Sequence, residues 1–298
     1  MFRTLLFIPG NNKKFLLKSK SLFPDILCYD LEDSVPDNEK SIARKLLVDA
    51  LSEFGSKEFN YSNNSKKPLV YIRINSFESN LYDSDLNSII NTGLDGIVVP
   101  KVNNKIELDK IISIINNLEE KRNLEKNTIK IIPSIESAEG VINVYNISCA
   151  NDRIQAIVFG VFDYLYDMQL DYDETDDTSY NYARSKIPVA AKSAGIYAID
   201  SIWQTINDLD GLKRDTEVAR RLGYSGKSII HPSHIDPVHS IFVPTNSQIK
   251  WAKRILEVAE LEKISGSNKG AIKVDGKMVD AVHFKQAKFI INSLNSID

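Results

Sequence analysis

Cysteine and histidine are scarce in this chain, two and four among 298 residues. Cys28 and Cys149 lie in or beside apolar stretches, so they read as reduced thiols of a cytoplasmic protein and exclude a disulfide framework. No apolar run approaches membrane-spanning length. The stretch Thr4–Pro9 is too short for the apolar region of a signal peptide and stops at a Pro9-Gly10 turn. A net charge of −3 gives no electrostatic reason to expect nucleic acid. What is present, 43% hydrophobic and 26% charged residues, is the composition of an ordinary soluble globular protein, at a length that one large α/β barrel with additions accounts for.

Two apolar runs stand out because each closes on a carboxylate: Ile131–Glu136 and Ala156–Asp163. Branched apolar runs without alternation are the pattern of parallel strands covered on both faces, and an acid where such a run stops lies at the carboxyl edge of the sheet. Glu136 and Asp163 are hard oxygen donors with no His or Cys near them in sequence, a set that favours Mg2+. Each alone also suits a helix N-cap. Gly140 and Gly160 flank the pair with backbone that permits close approach.

The same pattern recurs along the chain. Residues 4–10, 25–33, 69–75, 96–101, 129–136, 156–163, 196–202 and 226–232 are apolar runs ending on polar or turn residues and spaced by helical periodicity. Eight such units predict a (β/α)8 TIM barrel over 1–244, with a helix–loop–helix extension over 245–298. The charged strand ends are expected to converge on one rim. Asp30, Glu32 and Asp33 crowd the second run; either Lys40 and Arg44 pair with them, or Glu32 and Asp33 hold water on a metal. Arg73 sits inside an apolar run and must meet an anion there, the second-strand acids or a ligand carboxylate. Lys101 and Asp200 end two further strands, and His231 another, either as a satisfied core histidine or as a ligand contact. Segments 57–67 and 265–270 read as polar loops, and the acidic stretch Asp167–Asp177 as a lid.

With those residues in place the chain resembles the citrate lyase β-subunit-like branch of the HpcH/HpaI aldolase family, similar to malyl-CoA and citramalyl-CoA lyases. The likeness rests on Arg3-Thr-Leu-Leu-Phe-Ile-Pro-Gly-Asn11, Asp30-Leu-Glu-Asp-Ser-Val35 with Lys40 and Ala43-Arg44, Arg73-Ile-Asn75, Gly96-Ile-Val-Val-Pro-Lys101, Ile135-Glu136-Ser137, Phe159-Gly-Val-Phe-Asp163, Gly226-Lys-Ser-Ile-Ile-His-Pro232 and Gly276-Lys-Met-Val-Asp280, in that order over nearly the whole length. It departs at Asp167-Met-Gln169, where many members have Asp-Leu-Gly, and in the acidic, tyrosine-rich loop that follows.

The resemblance implies a Mg2+-dependent lyase that cleaves a 3-hydroxyacyl thioester, of coenzyme A or an acyl carrier, to an acetyl thioester and a 2-oxo acid. Mg2+ would sit on Glu136 and Asp163, with Arg73 on the substrate carboxylate. Gly160, Val161, Phe162 and Lys101 are expected substrate contacts. Arg3, Pro9, Asn11, Lys14 and Lys40 are expected toward the thioester carrier, Arg3, Lys14 and Lys40 with Lys13 as a basic rim. Glu32 and Asp33 are counted with the catalytic groups, as is Asp280, which is either the cap of the last helix or an acid/base group delivered to a neighbouring subunit in a homotrimer. A condensing reaction, an aldolase on free 2-oxo acids and a non-catalytic scaffold are the alternatives.

Overall fold

Each of the eight apolar runs forms a strand in the structure, a computed structural model that describes residues 1–54, 67–174, 176–264 and 271–295. The polar segments expected as loops at 57–67 and 265–270 lie outside the described residues, apart from Lys67. The strands are β1 (Thr4–Pro9), β2 (Ile26–Asp30), β3 (Leu69–Arg73), β4 (Gly96–Val99), β5 (Lys130–Ile135), β6 (Ala156–Phe159), β7 (Tyr197–Asp200) and β8 (Gly226–Ile229). They pair in parallel in chain order, and β8 closes on β1 through Leu5↔Ser228, a complete (β/α)8 barrel. Around it run α1 (Lys13–Ser19), α2 (Lys40–Phe54), α3 (Tyr82–Ile89), α4 (Lys105–Lys121), α5 (Ala138–Ser148), α6 (Val161–Asp167), α7 (Asn181–Ser193), α8 (Leu209–Leu222) and α9 (Ile235–Ile241).

The barrel interior is filled by Leu5, Ile26, Cys28, Tyr71, Val98, Ile132, Ala156, Val158 and Ile199. Because side chains alternate along a strand, this set fixes what reaches the carboxyl rim. Asp30, Arg73, Glu136, Gly160 and Ser201 continue the inward rows. Asp200 has the opposite parity to Ile199, so it faces the surrounding helices and does not join the rim as expected. Cys28 is buried in the interior row, whereas Cys149 is exposed at the end of α5, and both thiols are free.

The chain divides into two compact units, Met1–His239 and Ser240–Asp298, against an anticipated division at 244/245. In the second unit α10 (Asn246–Ile264) and α11 (Ala281–Asn295) are joined by an antiparallel hairpin, β9 (Ala271–Val274) with β10 (Lys277–Asp280), where a plain loop was expected. The hairpin has a local cause. Asp275 and Gly276 carry φ of 48° and 82°, the paired left-handed conformations of the tight turn that Asp-Gly favours. Ala252, Ile255, Val274, Val279, Ala287 and Ile290 form this unit's own core. No helix among the described residues is long and apolar enough to cross a membrane.

Candidate active site

The site is assembled at the carboxyl rim, beginning with Asp30 at the end of β2. Its buried carboxylate accepts from the amides of Glu32 (2.9 Å) and Ser34 (3.1 Å) and from the Ser34 hydroxyl, so it shapes the loop that carries Glu32 and Asp33. It also accepts from Nε and Nη2 of Arg73, each at 2.7 Å. Burial opposes ionisation here, yet the Arg73 charge and these hydrogen bonds win and hold the Asp30 carboxyl down at about 2. Of the two anions expected for Arg73, the second-strand acids therefore take one edge of the guanidinium. Its Nη1 lies 3.3 Å from Glu32 Oε2 and its plane covers the Phe7 ring at 4.8 Å.

Lys40 and Arg44 do not pair with those acids as sequence reasoning offered. The Lys40 ammonium is buried and donates to the carbonyls of Leu31 (2.9 Å) and Glu32 (3.1 Å) and to Asn75 Oδ1 (2.6 Å). Arg44 goes to Asp85 of α3 at 2.8 Å, and Asp85 also accepts from the amide and side chain of Asn75. Asn75 and Asp85 thus brace the Glu32 loop from behind. Asp85 escaped notice because nothing marks it among the acids of an amphipathic helix.

Glu136 follows β5 and points inward. Its Oε2 is buried with no hydrogen-bond partner among the described residues. Burial, then the charges of Glu32 and Asp163, push its carboxyl up to about 8 against the opposing pull of Arg73. Glu32, raised to about 7 chiefly by burial, is the second acid held near neutrality. Gly160 lies against Glu136, and a Cβ there would come within 2.6 Å of Glu136 Cγ. That contact explains the glycine better than loop freedom does.

Asp163 is not a strand end. After β6 stops at Phe159 the chain turns at Gly160 into α6, and Asp163 occupies its first turn, 38% exposed. The apolar Val161-Phe162 that suggested a longer strand is helical: Val161 is buried and Phe162 packs on the Tyr172 ring at 4.8 Å. The amides of Gly160 and Val161 donate to Ile135 O and Ser201 Oγ, which ties the start of α6 to β5 and to the chain just beyond β7. Lys101, after β4, places its ammonium 3.0 Å from Glu32 Oε1, 3.5 Å from Asp33 and 3.3 Å from Asp163.

Five carboxylates (Asp30, Glu32, Asp33, Glu136 and Asp163) therefore face two cations, Arg73 and Lys101. Among the described residues no three His, Cys, Asp or Glu side chains form a closed metal cage. Two carboxylates, one with an unpartnered buried oxygen, fit the kind of donor set with which Mg2+ leaves coordination positions to water and substrate.

The expected carrier-binding residues separate. Pro9 ends β1 at the rim, Asn11 Nδ2 donates to Glu39 at 2.5 Å, and Lys13 and Lys14 are exposed on α1. Arg3 precedes β1 and pairs with Asp25 at the start of β2, Nη2 to Oδ1 2.9 Å, on the amino edge of the barrel opposite the site. Lys40 has its donors turned inward. Neither Arg3 nor Lys40 belongs to a basic rim. His231 is not in the core: it is exposed beyond β8, and its Nδ1 accepts from Ser233 N at 3.2 Å, capping a short 3-10 turn. Asp280, at the end of β10, caps α11 through the amide of Val282 (3.0 Å) and pairs with His283 Nδ1 (2.7 Å). Those bonds, led by the one from His283, hold its carboxyl below the usual range.

The family model for HpcH/HpaI aldolase/citrate lyase matches residues 3–232, the whole barrel. The chain belongs to this family. It is 32% identical to the citrate lyase subunit beta of Leuconostoc mesenteroides subsp. cremoris, over 99% of this chain and 93% of that one. With the mitochondrial citramalyl-CoA lyase of Rattus norvegicus it shares 31% identity, over 99% and 86%. Among solved structures, CitE of Mycobacterium tuberculosis in complex with magnesium, acetoacetate and coenzyme A superposes with a TM-score of 0.76 at 23% identity, covering 99% of this chain and 98% of that one. At that identity the likeness is one of fold, and the HpcH/HpaI barrel is the fold described above.

Proposed function

We propose that this chain is a Mg2+-dependent carbon–carbon lyase that cleaves a malyl-, citramalyl- or citryl-type 3-hydroxyacyl thioester to an acetyl thioester and a 2-oxo acid. One observation carries the reading: Glu136 presents a buried, unpartnered carboxylate oxygen, and the charge of Asp163 acts on it, on a rim short of positive charge. Glu136 and Asp163 would hold the ion, with Glu32 and Asp33 toward its waters. Bound there, Mg2+ supplies Lewis acidity to the carbonyl of the 2-oxo acid. The two relatives, a citrate lyase subunit and a citramalyl-CoA lyase, support this class of reaction.

The remaining chemistry falls to side chains. As the 3-hydroxyl gives its proton to the Asp280 carboxylate, its C–O bond becomes the carbonyl, and the C2–C3 pair passes to the thioester as an enolate. A proton delivered to C2 completes the acetyl thioester. Arg73 offers Nη1 to the carboxylate or the enolate oxygen, oriented by its bidentate grip on Asp30. Asp280 of a neighbouring chain in a cytoplasmic homotrimer is the acid/base group of this transfer, ionised as it arrives and so able to take the proton before returning it. Its helix cap and its partner His283 keep that side chain in one rotamer until the neighbour's site takes it up. Pro9, Asn11 and Lys14 remain the carrier-side residues, and Gly160, Val161, Phe162 and Lys101 border the substrate.

Incubating the protein and Mg2+ with malyl, citramalyl and citryl thioesters, with and without EDTA, tests the reaction. Cleavage of one of them that EDTA abolishes is expected, and full activity in EDTA would exclude the mechanism. An equal mixture of Asp280→Asn and Arg73→Ala chains, reassembled together, is expected to regain activity that each lacks alone. A mixed oligomer as inactive as its parents would exclude delivery in trans.

A further inference from the structure

Lys101 sits in a backbone conformation that side chains disfavour, with φ of 52°. From there its ammonium reaches the Glu32–Asp33 loop beyond β2 and Asp163 in the first turn of α6, joining two places four strands apart around the barrel. Arg73 cannot make that link, because Asp30 fixes its Nε–Nη2 edge. A lysine is a point charge on a flexible stem, with no fork to align, and it exchanges one oxygen for another at little geometric cost. Its distance from Asp163 Oδ1, 3.3 Å, matters most. A divalent ion on the Asp163 carboxylate and an ammonium at that distance from it repel one another across a few ångströms of partly desolvated space.

We infer that Lys101 is a placeholder cation. It neutralises Asp163 until the divalent ion arrives, then gives up that carboxylate and turns, on the Glu32 side, to the oxygen on which negative charge develops during cleavage. This rests on the metal reading above and adds a partner exchange to it. The consequence is a pair of opposed effects. Removing the ammonium removes a competitor from the metal site and a counter-charge from the reaction. A lysine that merely glued the acids together would behave differently, since its loss would let the carboxylates spread and would weaken metal binding.

The test is calorimetric titration of Mg2+ into the full-length protein, the Lys101→Met variant and the Lys101→Asn variant. Steady-state cleavage of the thioester that the wild type turns over is measured beside it. Lys101→Met keeps the length of the side chain without its charge. Lys101→Asn keeps the turn, because asparagine tolerates a left-handed φ, so the titration stands even if the methionine variant fails to fold. Mg2+ affinity is expected to rise about three- to tenfold in the variants while kcat falls more than about tenfold. Unchanged or weaker Mg2+ binding in the folded variants would overturn the placeholder role. Unchanged kcat would overturn the transfer to substrate. A wild type that takes up no Mg2+ would overturn the metal reading itself, and the lysine's role with it.

Discussion

Two clusters of charge lie within the barrel unit, and they are built on opposite terms. Between β7, β8 and the helices α7 and α8, Asp200 accepts from Arg184 Nε (3.1 Å) and Nη2 (2.6 Å) and from Lys227 Nζ (2.8 Å), while Asp215 pairs with the same two cations. Both buried cations are met by Asp200 and Asp215, with a third acid, Asp177, 3.9 Å from Arg184 at the partly exposed edge, and although burial opposes it, the Arg184 and Lys227 charges hold the Asp200 carboxyl below its ordinary range. On the rim, five acids meet two bases, and Glu136 and Glu32 are pushed up instead. Burying an ion is tolerable only when partners replace the lost water. The first cluster has met that condition within the chain and is structural. The second has not, and the deficit is one of positive charge, which a bound cation would fill.

The contrast breaks most visibly at Glu136. Glu136→Ala is expected to reduce turnover by three orders of magnitude or more, roughly the loss of an essential electrostatic group, while the melting temperature of the metal-free protein stays level or rises. Assay and thermal melt together check this, and a large fall in stability would make Glu136 structural. Asp200→Ala should do the reverse. It leaves Arg184 and Lys227 to share Asp215 and removes their most buried counter-charge, at a cost of about 3 kcal/mol in denaturant unfolding, with Mg2+ binding retained by the folded fraction.

Asp30 stands between the two kinds, since it is fully paired and yet orients Arg73. Its folded-state carboxyl, at about 2, lies below its ordinary unfolded value near 3.8, so the stability it contributes is complete above that unfolded value and lost as pH falls through the folded one. Asp30→Asn should therefore be less stable than the wild type by about 2 kcal/mol near pH 6, and that gap should close between pH 4 and pH 2 in acid-unfolding curves. The smallest expected effect lies outside both clusters. Gln169 holds φ of 56° just beyond α6, so Gln169→Gly should raise stability by about 0.5–1 kcal/mol, read from the melt, and leave both clusters unchanged.

The strands were legible because burial on both faces leaves unbroken apolar runs, and Glu136 and Arg73 were legible because charge inside such runs needs a reason. Direction was not. Asp200 and Glu136 both end strands, and only strand parity, set by which neighbours fill the barrel, turns one outward and the other to the rim. Asp163 looked like a strand end because an apolar pair in the first turn of a helix reads the same as two more strand residues. Lys40 and Arg3 looked like surface charge, since a linear sequence does not show that a lysine will thread between two carbonyls or that an arginine precedes its strand at the far edge. The Asp275-Gly276 pair is a turn signal, but four-residue strands on either side of it are too short to announce themselves by alternation.

The unequal division of charge is tested most directly by calorimetry of Mg2+ binding to the wild type, Glu136→Ala and Asp200→Asn, each with pyruvate present and absent. One site per chain is expected in the wild type, strengthened by pyruvate, lost in Glu136→Ala and kept in Asp200→Asn. Mg2+ binding that survives in Glu136→Ala, or that is absent from the folded wild type, would contradict the assignment of the rim as a metal and 2-oxo acid site.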